Sequence, residues 1–388
     1  MRVALVINVY DPARGGVERY AETLSRALLD AGHEVHVIAS SGTELPEGVH
    51  LHRVKALTFW SPLKIWSFAD GARRVLEREK SRWDAVLGLA NTPTQHVYRA
   101  GAGSYRAHLR ATSAARGRIL GDAIVGLNPR HRARFEMERR IFEGWRTGET
   151  RRYLFNSRHV RDEILEEYDI PPDRIDVLSN PVDTVRFDPA RWASRRDELR
   201  HDLGIPQDAY VLLFAGGGFH RKGLDLAISA LADAASEAWL IVAGRGDRAP
   251  YKALAVARGI ADRVIFAGVR ADIESVYAGC DALLAPTRYD AFSNATIEGL
   301  AMGLPAITTR ANGASDIIDE GREGFIIEEA TDTRALAKAL DALAEPARRK
   351  EMGARARLRA ETLSPRVHAD GVIKVLEAAV MMDGGGKR

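Results

Sequence analysis

Residues 210–234 read YVLLFAGGGFHRKGLDLAISALADA. The unbroken apolar run from Tyr210 to Ala215 is what a strand needs when a parallel sheet is covered on both faces. The glycines that follow make a turn, and the apolar residues of GLDLAISALADA then return at helical spacing. The same strand–turn–helix rhythm continues downstream. Strands are expected at AWLIVAG (238–244), RVIFAG (263–268), ALLAP (282–286) and PAITT (305–309), with helical patterns between them. Alternation of this kind predicts a doubly wound α/β layer.

Working back toward the N-terminus, the rhythm is found a second time. RVALVIN (2–8) reads as a buried strand and DPARGG (11–16) as turn chemistry. Val17, Tyr20, Leu24, Ala27 and Leu28 then mark a helix that Gly32 ends, and EVHVIAS (34–40) reads as the next strand. DAVLGLA (84–90), RRYLFNS (151–157) and RIDVLSN (174–180) are further strand candidates. A polar, turn-rich stretch over 181–209 separates the two series. The expected domains are therefore 1–188 and 189–362. Residues 363–388 are set apart as an amphipathic helix, SPRVHADGVIKVLEAAVMM, and a disordered tail, DGGGKR. Two α/β domains in tandem place a cleft between them, where ligands of such proteins usually sit.

Composition narrows the class. At 46% hydrophobic and 28% charged residues, the chain can build packed cores under a water-compatible surface. Its single cysteine, Cys280, excludes a disulfide framework and fits a reducing compartment. The apolar run in MRVALVINVYDP is too short for a signal peptide, and no stretch approaches the roughly 20 apolar residues of a membrane span. A cytoplasmic protein is expected.

The chemistry concentrates at RYDAFSNATIEGLAMGLPAITT (288–309), where Asp290 and Glu298 stand eight residues apart. ATIEGLAMG reads as a helix whose first amides belong to Phe292, Ser293, Asn294 and Ala295, and such amides favour an anion. Glu298, one turn deeper, would repel a phosphate but can accept two hydrogen bonds from a vicinal diol. Phosphate at the helix tip with a diol behind it describes a nucleotide, with Asp290 meeting whatever lies beyond the phosphates. On the plainer reading, Glu298 only favours the helix start and Asp290 is a loop residue. In FAGGGFHRKGLD, Arg221 and Lys222 sit where two cations would face a diphosphate. The spacing is neither a Walker motif nor GxGxxG, and an ordinary surface turn is its alternative. Gly15 and Gly16 let backbone approach a bulky ligand at a helix N-terminus, or make a plain tight turn.

Taken together, GGVERYAETLSRALLDAGHEVHVIA, FNSRHVRDEI, VLSNPVDTVRF, RKGLDLAISAL and DAFSNATIEGLAMGLPAITT resemble glycosyltransferase family 4 over nearly the whole chain. The resemblance implies the GT-B fold, with two Rossmann-like domains facing a cleft and a C-terminal helix for which a crossing back to the first domain is open. It also implies retention of anomeric configuration and a nucleotide-sugar donor. The acid pair corresponds to the family's E-x7-E motif, with Asp290 in place of the first Glu. By that correspondence Asp290 contacts the donor hexose, the amides after it hold the distal phosphate, Glu298 binds ribose, and Arg221 and Lys222 face the diphosphate. Gly268, Val269 and Arg270 resemble the loop bordering the nucleobase. Many members carry an Arg five positions before the Lys; here Gly217 stands there, and Arg221 supplies a charge instead, as in lipopolysaccharide core glucosyltransferases. No DxD motif is evident, so no metal or other cofactor is expected. Tyr105 and His108 follow a loop where relatives often place a His near the sugar; the alternative is that they position the acceptor. UDP-glucose as donor and a lipopolysaccharide core or other membrane-linked glycan as acceptor are what the resemblance suggests. A nucleotide-sugar epimerase, a phosphorylase and a non-catalytic nucleotide-sugar-binding scaffold are the competing functions.

Residues 106–152 hold 12 Arg against 5 Asp and Glu, a local net charge of +7 where the whole chain has +3. Ile119, Leu120, Ile124, Val125, Leu127, Phe135 and Met137 alternate with these arginines. A basic amphipathic segment can lie on the anionic inner leaflet of a membrane, or it can pack as a solvated helix face on its own domain. Aromatic residues are not interleaved and no nucleic-acid module matches, so nucleic acid is not an expected partner.

Overall fold

A computed structural model describes residues 1–57, 61–114 and 128–382. The chain divides into two units: residues 1–181 with 365–388, and residues 182–364. The first boundary therefore falls seven residues before the expected 188. The C-terminal helix, Pro365–Met381, belongs with the first unit.

The first unit is built on a parallel sheet of seven strands: β1 (Arg2–Val6), β2 (Glu34–Ala39), β3 (Val49–Arg53), β4 (Ala85–Gly88), β5 (Gln95–Ala100), β6 (Thr150–Phe155) and β7 (Ile175–Val177), in the order β3-β2-β1-β4-β5-β6-β7. Side chains alternate across a strand. Thus Val3 and Leu5 of β1 enter the core under helices Gly16–Asp30 and Pro365–Met381, while Ala4 and Val6 enter the core shared with Phe68, Ala72 and Leu76 of helix Ser61–Arg78. An apolar run filling both cores is why RVALVIN shows no polar alternation.

The second unit repeats the plan with six parallel strands: β8 (Val211–Ala215), β9 (Trp239–Ala243), β10 (Val264–Gly268), β11 (Ala282–Ala285), β12 (Ala306–Thr309) and β13 (Gly324–Ile327), in the order β10-β9-β8-β11-β12-β13. In β8, Leu212 and Phe214 face one core and Val211 and Leu213 the other. After β8 the chain winds outward one way, to β9 and β10; after β11 it winds the other way, to β12 and β13. The carboxyl ends of β8 and β11 are therefore neighbours at a topological switch point, where such sheets leave a crevice. β1 and β4 form the equivalent point in the first unit.

Three strands were not anticipated. β5 (QHVYRA) hides polar residues that find partners: Gln95 donates to Thr150 Oγ1 at 2.9 Å, and Arg99 donates to Asn180 Oδ1 at 2.5 Å. β3 (VHLHR) is an edge strand carrying His50 and His52, and β13 (GFII) is only four residues long.

Residues 119, 120, 124, 125 and 127 of the basic segment, and the 383–388 tail, lie outside the described residues. Helix Pro129–Phe142 corrects part of the amphipathic reading. Met137 is fully buried in the first unit, together with Ala133, Ile141 and Phe142. Phe135 is half-buried against Tyr105, with Arg106 above its ring. Arg139 and Arg140 pair with Glu136 and Glu143. Most of the apolar face of this helix is thus used by its own domain, with Phe135 left half-buried beside the charged residues.

The C-terminal helix is pinned by a buried histidine. The Tyr20 hydroxyl lies 2.8 Å from His368 Nε2, and His368 Nδ1 lies 2.9 Å from the Ser179 carbonyl oxygen. A carbonyl only accepts, so Nδ1 carries the proton, Nε2 accepts from Tyr20, and the ring is neutral. Burial, with the nearby Arg99 guanidinium, pushes the imidazole down to about 3. Unfolded, the same group takes a proton near pH 6.5. Between these values the unfolded chain holds a proton that the folded chain refuses. This contribution is therefore fully present above pH 6.5 and drains as pH falls, by at most about 1.4 kcal/mol per pH unit. Urea unfolding followed by tryptophan fluorescence should show the first unit less stable at pH 5 than at pH 7. His368→Gln should flatten that dependence; an unaltered slope would assign it to other groups.

Candidate functional site

The loops that follow β8 and β11 meet at the switch point of the second unit. The first runs from Gly216 to Lys222. Gly216 has φ +132°, and Gly223 has φ +78°, conformations that a side chain resists. At Gly223 a Cβ would also stand 2.0 Å from the Pro286 carbonyl oxygen, so the two loops approach too closely for any other residue. Helix Leu224–Asp233 begins directly after Gly223. The loops are joined by the Arg221 carbonyl, which accepts from the Arg288 amide at 2.9 Å and from the Thr287 hydroxyl at 3.0 Å.

This frame brings Arg221, Lys222 and Asp290 together. Lys222 Nζ lies 2.5 Å from Asp290 Oδ2 and donates to Ser293 Oγ at 3.1 Å. Arg221 Nη1 donates to the same Oδ2 at 3.1 Å and to the Tyr289 carbonyl at 2.7 Å. The Asp290 side chain is 13% exposed. Burial alone would raise its pKa, but Lys222 and Arg221 outweigh that and hold the carboxyl below the usual range. Two cations against one carboxylate leave a net charge of +1. Of the amides expected to meet phosphate, those of Phe292 and Ser293 are already engaged: Phe292 N–H donates to Asp290 Oδ1 and Ser293 N–H to Asn312 Oδ1, both at 3.2 Å. Helix Asn294–Ala301 starts directly after these two amides, beside the two cations.

Asn312 was missed in the sequence, although the Asn312-Gly313 pair is a turn signal. It is fully buried. Its Oδ1 accepts from Ser293 N–H and from Ala314 N–H at 3.1 Å, while Nδ2 donates to Thr296 Oγ1 at 3.1 Å and to Thr308 Oγ1 at 2.9 Å. One amide thereby ties the start of helix Asn294–Ala301 to β12. Glu298 sits in that helix, and its Oε2 accepts from the hydroxyl of the buried Tyr277 at 2.9 Å. Tyr277 is the other residue the sequence did not disclose.

Gly268 has φ +77° and ends β10, with Arg248 so close that a Cβ would meet Nη2 at 2.7 Å. Val269 is 66% exposed. Arg270 grips Asp272 with two hydrogen bonds, of 2.9 and 2.7 Å, and holds that carboxyl down at about 2.

In the first unit, Gly16 begins helix Gly16–Asp30, and Gly15 precedes it in the loop after β1. Gly15 has φ −176°, extended backbone open to any residue; a Cβ there would meet only the flexible Glu18 carboxylate, at 2.9 Å. Tyr105 begins helix Tyr105–Ala114. Its hydroxyl lies 2.7 Å from His131 Nδ1, its amide donates to Glu138 Oε2 at 2.7 Å, and the His108 ring stacks near it. Among the described residues, no group of three or more His, Cys, Asp or Glu is placed to hold a metal ion.

Comparison with known proteins accords with this geometry. A family model described as "Glycosyltransferase Family 4" matches residues 14–186, and one described as "Glycosyl transferases group 1" matches residues 195–359. The lipopolysaccharide glucosyltransferase WaaG of Escherichia coli K12 is 25% identical over 85% of this chain and 86% of its own length. A D-inositol 3-phosphate glycosyltransferase of Arthrobacter sp. is 28% identical over 89% of this chain and 86% of its own. A crystal structure of WaaG aligns with TM-score 0.78 and 24% identity, covering 96% of this chain and 99% of that one. A structure of Anabaena Alr3699/HepE in complex with UDP-glucose aligns with TM-score 0.70 and 16% identity, covering 97% and 100%.

Replacing Asn312 by Ala would leave two buried amides and two hydroxyls without their partner. Each unsatisfied buried group costs roughly 1–3 kcal/mol. Asn312→Ala should therefore lower the stability of the second unit by about 2 kcal/mol or more in urea unfolding, and the loss should grow as UDP is added, because a helix start that has lost its anchor binds the anion more weakly and gains less stability from it.

Proposed function

The chain belongs to the GT-B glycosyltransferases, with a family 4 region followed by a group 1 region, and from that premise we propose that it is a retaining hexosyltransferase using a nucleotide-sugar donor. The observation that carries the reading is the convergence of Arg221, Lys222 and the start of helix Asn294–Ala301 at the β8–β11 switch point, one helical turn before Glu298. Cations and helix start form a diphosphate seat, and Glu298 receives the ribose diol. Asp290 meets the hexose, and Gly268 to Arg270 border the base. UDP-glucose is the donor we favour, supported by the complex seen in Alr3699/HepE. A membrane-linked glycan, in the manner of WaaG's lipopolysaccharide, is the acceptor we favour.

In the proposed reaction the bond between the anomeric carbon and the distal phosphate oxygen breaks. A bond from that carbon to the acceptor oxygen forms on the same face. The acceptor proton passes to the departing phosphate, so the products are a glycoside and a nucleoside diphosphate. Arg221, Lys222 and the helix start stabilise the charge that grows on the phosphate oxygens. Side chains carry that charge, so transfer is proposed to need no metal. Cytoplasmic placement at an anionic membrane surface is proposed from the charge of residues 106–152. With Met137 turned inward, the attraction would be electrostatic and hence salt-sensitive.

Lys222→Ala should lower UDP-glucose turnover by about 10²–10³-fold, and EDTA should leave the wild-type rate unchanged. Nucleotide release only when acceptor is present would separate a transferase from an epimerase. Wild-type turnover in Lys222→Ala would sink the assignment. In flotation assays, vesicles containing phosphatidylglycerol should carry the protein up at low salt and release it at high salt; phosphatidylcholine vesicles should not bind it.

A further inference from the structure

The loop after β9 is wedged between its neighbours. Gly244 has φ +144°, and its amide donates to the Gly268 carbonyl at 2.7 Å, on the β10 side. On the β8 side, a Cβ at Gly244 would stand 2.0 Å from the Gly216 carbonyl oxygen. Residues 245–248 are thereby carried beside both the cation loop and the loop that begins at Gly268. Arg248 closes this stretch, and its guanidinium lies across Gly268: an added Cβ there would meet Nη2 at 2.7 Å and Cζ at 3.7 Å.

The charges around Arg248 have other partners. Arg270 is spent on Asp272, and Asp247 accepts from the Ala249 amide at 3.0 Å. Arg248 itself is exposed, and among the described residues no hydrogen bond, ion pair or ring contact engages its guanidinium. Val269, the residue after Gly268, is also exposed. An unpaired planar cation and an apolar side chain thus stand at the same glycine, at the carboxyl edge of the sheet.

We infer that Arg248 is a specificity-determining residue that reads the base of the nucleotide and favours one presenting a carbonyl oxygen, uracil or guanine, over adenine. The inference rests on the donor-site reading above, which sets Gly268 to Arg270 beside the base. A guanidinium has only donors, so its partner must accept. Uracil offers O4, and guanine offers O6 next to N7, which suits the arginine fork. Adenine puts an amino group where guanine has O6, so donor would face donor. Apolar contact with Val269 serves any base and adds affinity without choice.

The test is equilibrium binding of UDP, GDP, ADP and inorganic pyrophosphate to the full chain and to Arg248→Ala and Arg245→Ala. Wild type is expected to bind the better of UDP and GDP about tenfold or more tighter than ADP, the worth of a hydrogen bond from a charged group. Arg248→Ala should bring that ratio close to one and leave pyrophosphate within about twofold of wild type. It should also raise KM for the nucleotide sugar with little change in kcat, because a base contact is the same in ground and transition states. Arg245→Ala removes the same charge from the same exposed loop and should preserve the ratio. If Arg248→Ala weakens pyrophosphate as much as the nucleotides, Arg248 is a phosphate contact. If it weakens all three nucleotides alike and spares pyrophosphate, it supports any base by stacking. Either result overturns the inference, as does a wild type that binds ADP as well as UDP and GDP, or a ratio lost equally in Arg245→Ala. Failure of all three nucleotides to bind wild type would instead overturn the donor-site reading itself.

Discussion

The charged contact on which the candidate site depends is the 2.5 Å approach of Lys222 to Asp290. It joins the loop after β8 to the loop after β11, and both groups are largely withdrawn from water: Lys222 is 9% exposed and the Asp290 side chain 13%. Desolvation of either charge alone would cost several kcal/mol, and removing one partner would strand the other. The pair therefore adds a charged tie between two loops that the Arg221 carbonyl also joins. It also means that the cations are not idle before a ligand arrives. On the proposed reading a diphosphate has to compete with a carboxylate already in place, so its affinity is the difference between two charge-assisted contacts.

The same two strands carry a second charged centre at their other ends. Arg200 is fully buried and donates to the carbonyls of Gly279, Gln207 and Ala209 at 2.7–2.9 Å, and to Asp281 Oδ2 at 2.9 Å. Asp281 also accepts from Val211 N–H at 2.7 Å and from Arg196 at 2.6 Å. Every donor there has a protein acceptor in a saturated network that clamps β8 to β11 at their amino ends. At the carboxyl ends two cations, Arg221 and Lys222, again share one acid, Asp290. What sets the carboxyl end apart is its neighbour, the start of helix Asn294–Ala301, towards which Lys222 reaches through Ser293.

Most of this architecture was legible because parallel strands buried on two faces must be apolar throughout. Val211 to Ala215 and Arg2 to Val6 announce themselves that way. β5 stayed hidden because its Gln95 and Arg99 are satisfied by Thr150 and Asn180, residues 55 and 81 positions away, which no local pattern can reveal. Spacing singled out Asp290, Glu298, Arg221 and Lys222 without deciding between a ligand site and a plain helix start or turn, and folding brings Arg221, Lys222 and Asp290 into contact. Asn312 and Tyr277 were not legible, since each acts through partners made adjacent only by folding: Asn312 reaches back to Ser293 and Thr296, and Tyr277 reaches from another helix to Glu298. The amides of Phe292 and Ser293 were assigned to phosphate for the same reason. Their acceptors are side chains, and a side chain's orientation is a tertiary fact.

The two acids of the 288–309 stretch end in opposite environments, and that difference bears on the proposed chemistry. Asp290 faces two cations and is held below the usual carboxylate range; Glu298 faces a phenol. A carboxylate stabilised as an anion by Lys222 and Arg221 is a weak base, because any proton it accepts must displace those contacts. It is suited instead to accepting hydrogen bonds from sugar hydroxyls, which ask for its charge and leave it intact. Glu298 has the role of a ribose acceptor in the proposed reaction, one helical turn behind the proposed diphosphate seat. In the proposed reaction, therefore, the acceptor's proton goes to the departing phosphate oxygen and not to Asp290. The same cations that keep Asp290 ionised are the ones that stabilise that oxygen as its bond to carbon lengthens.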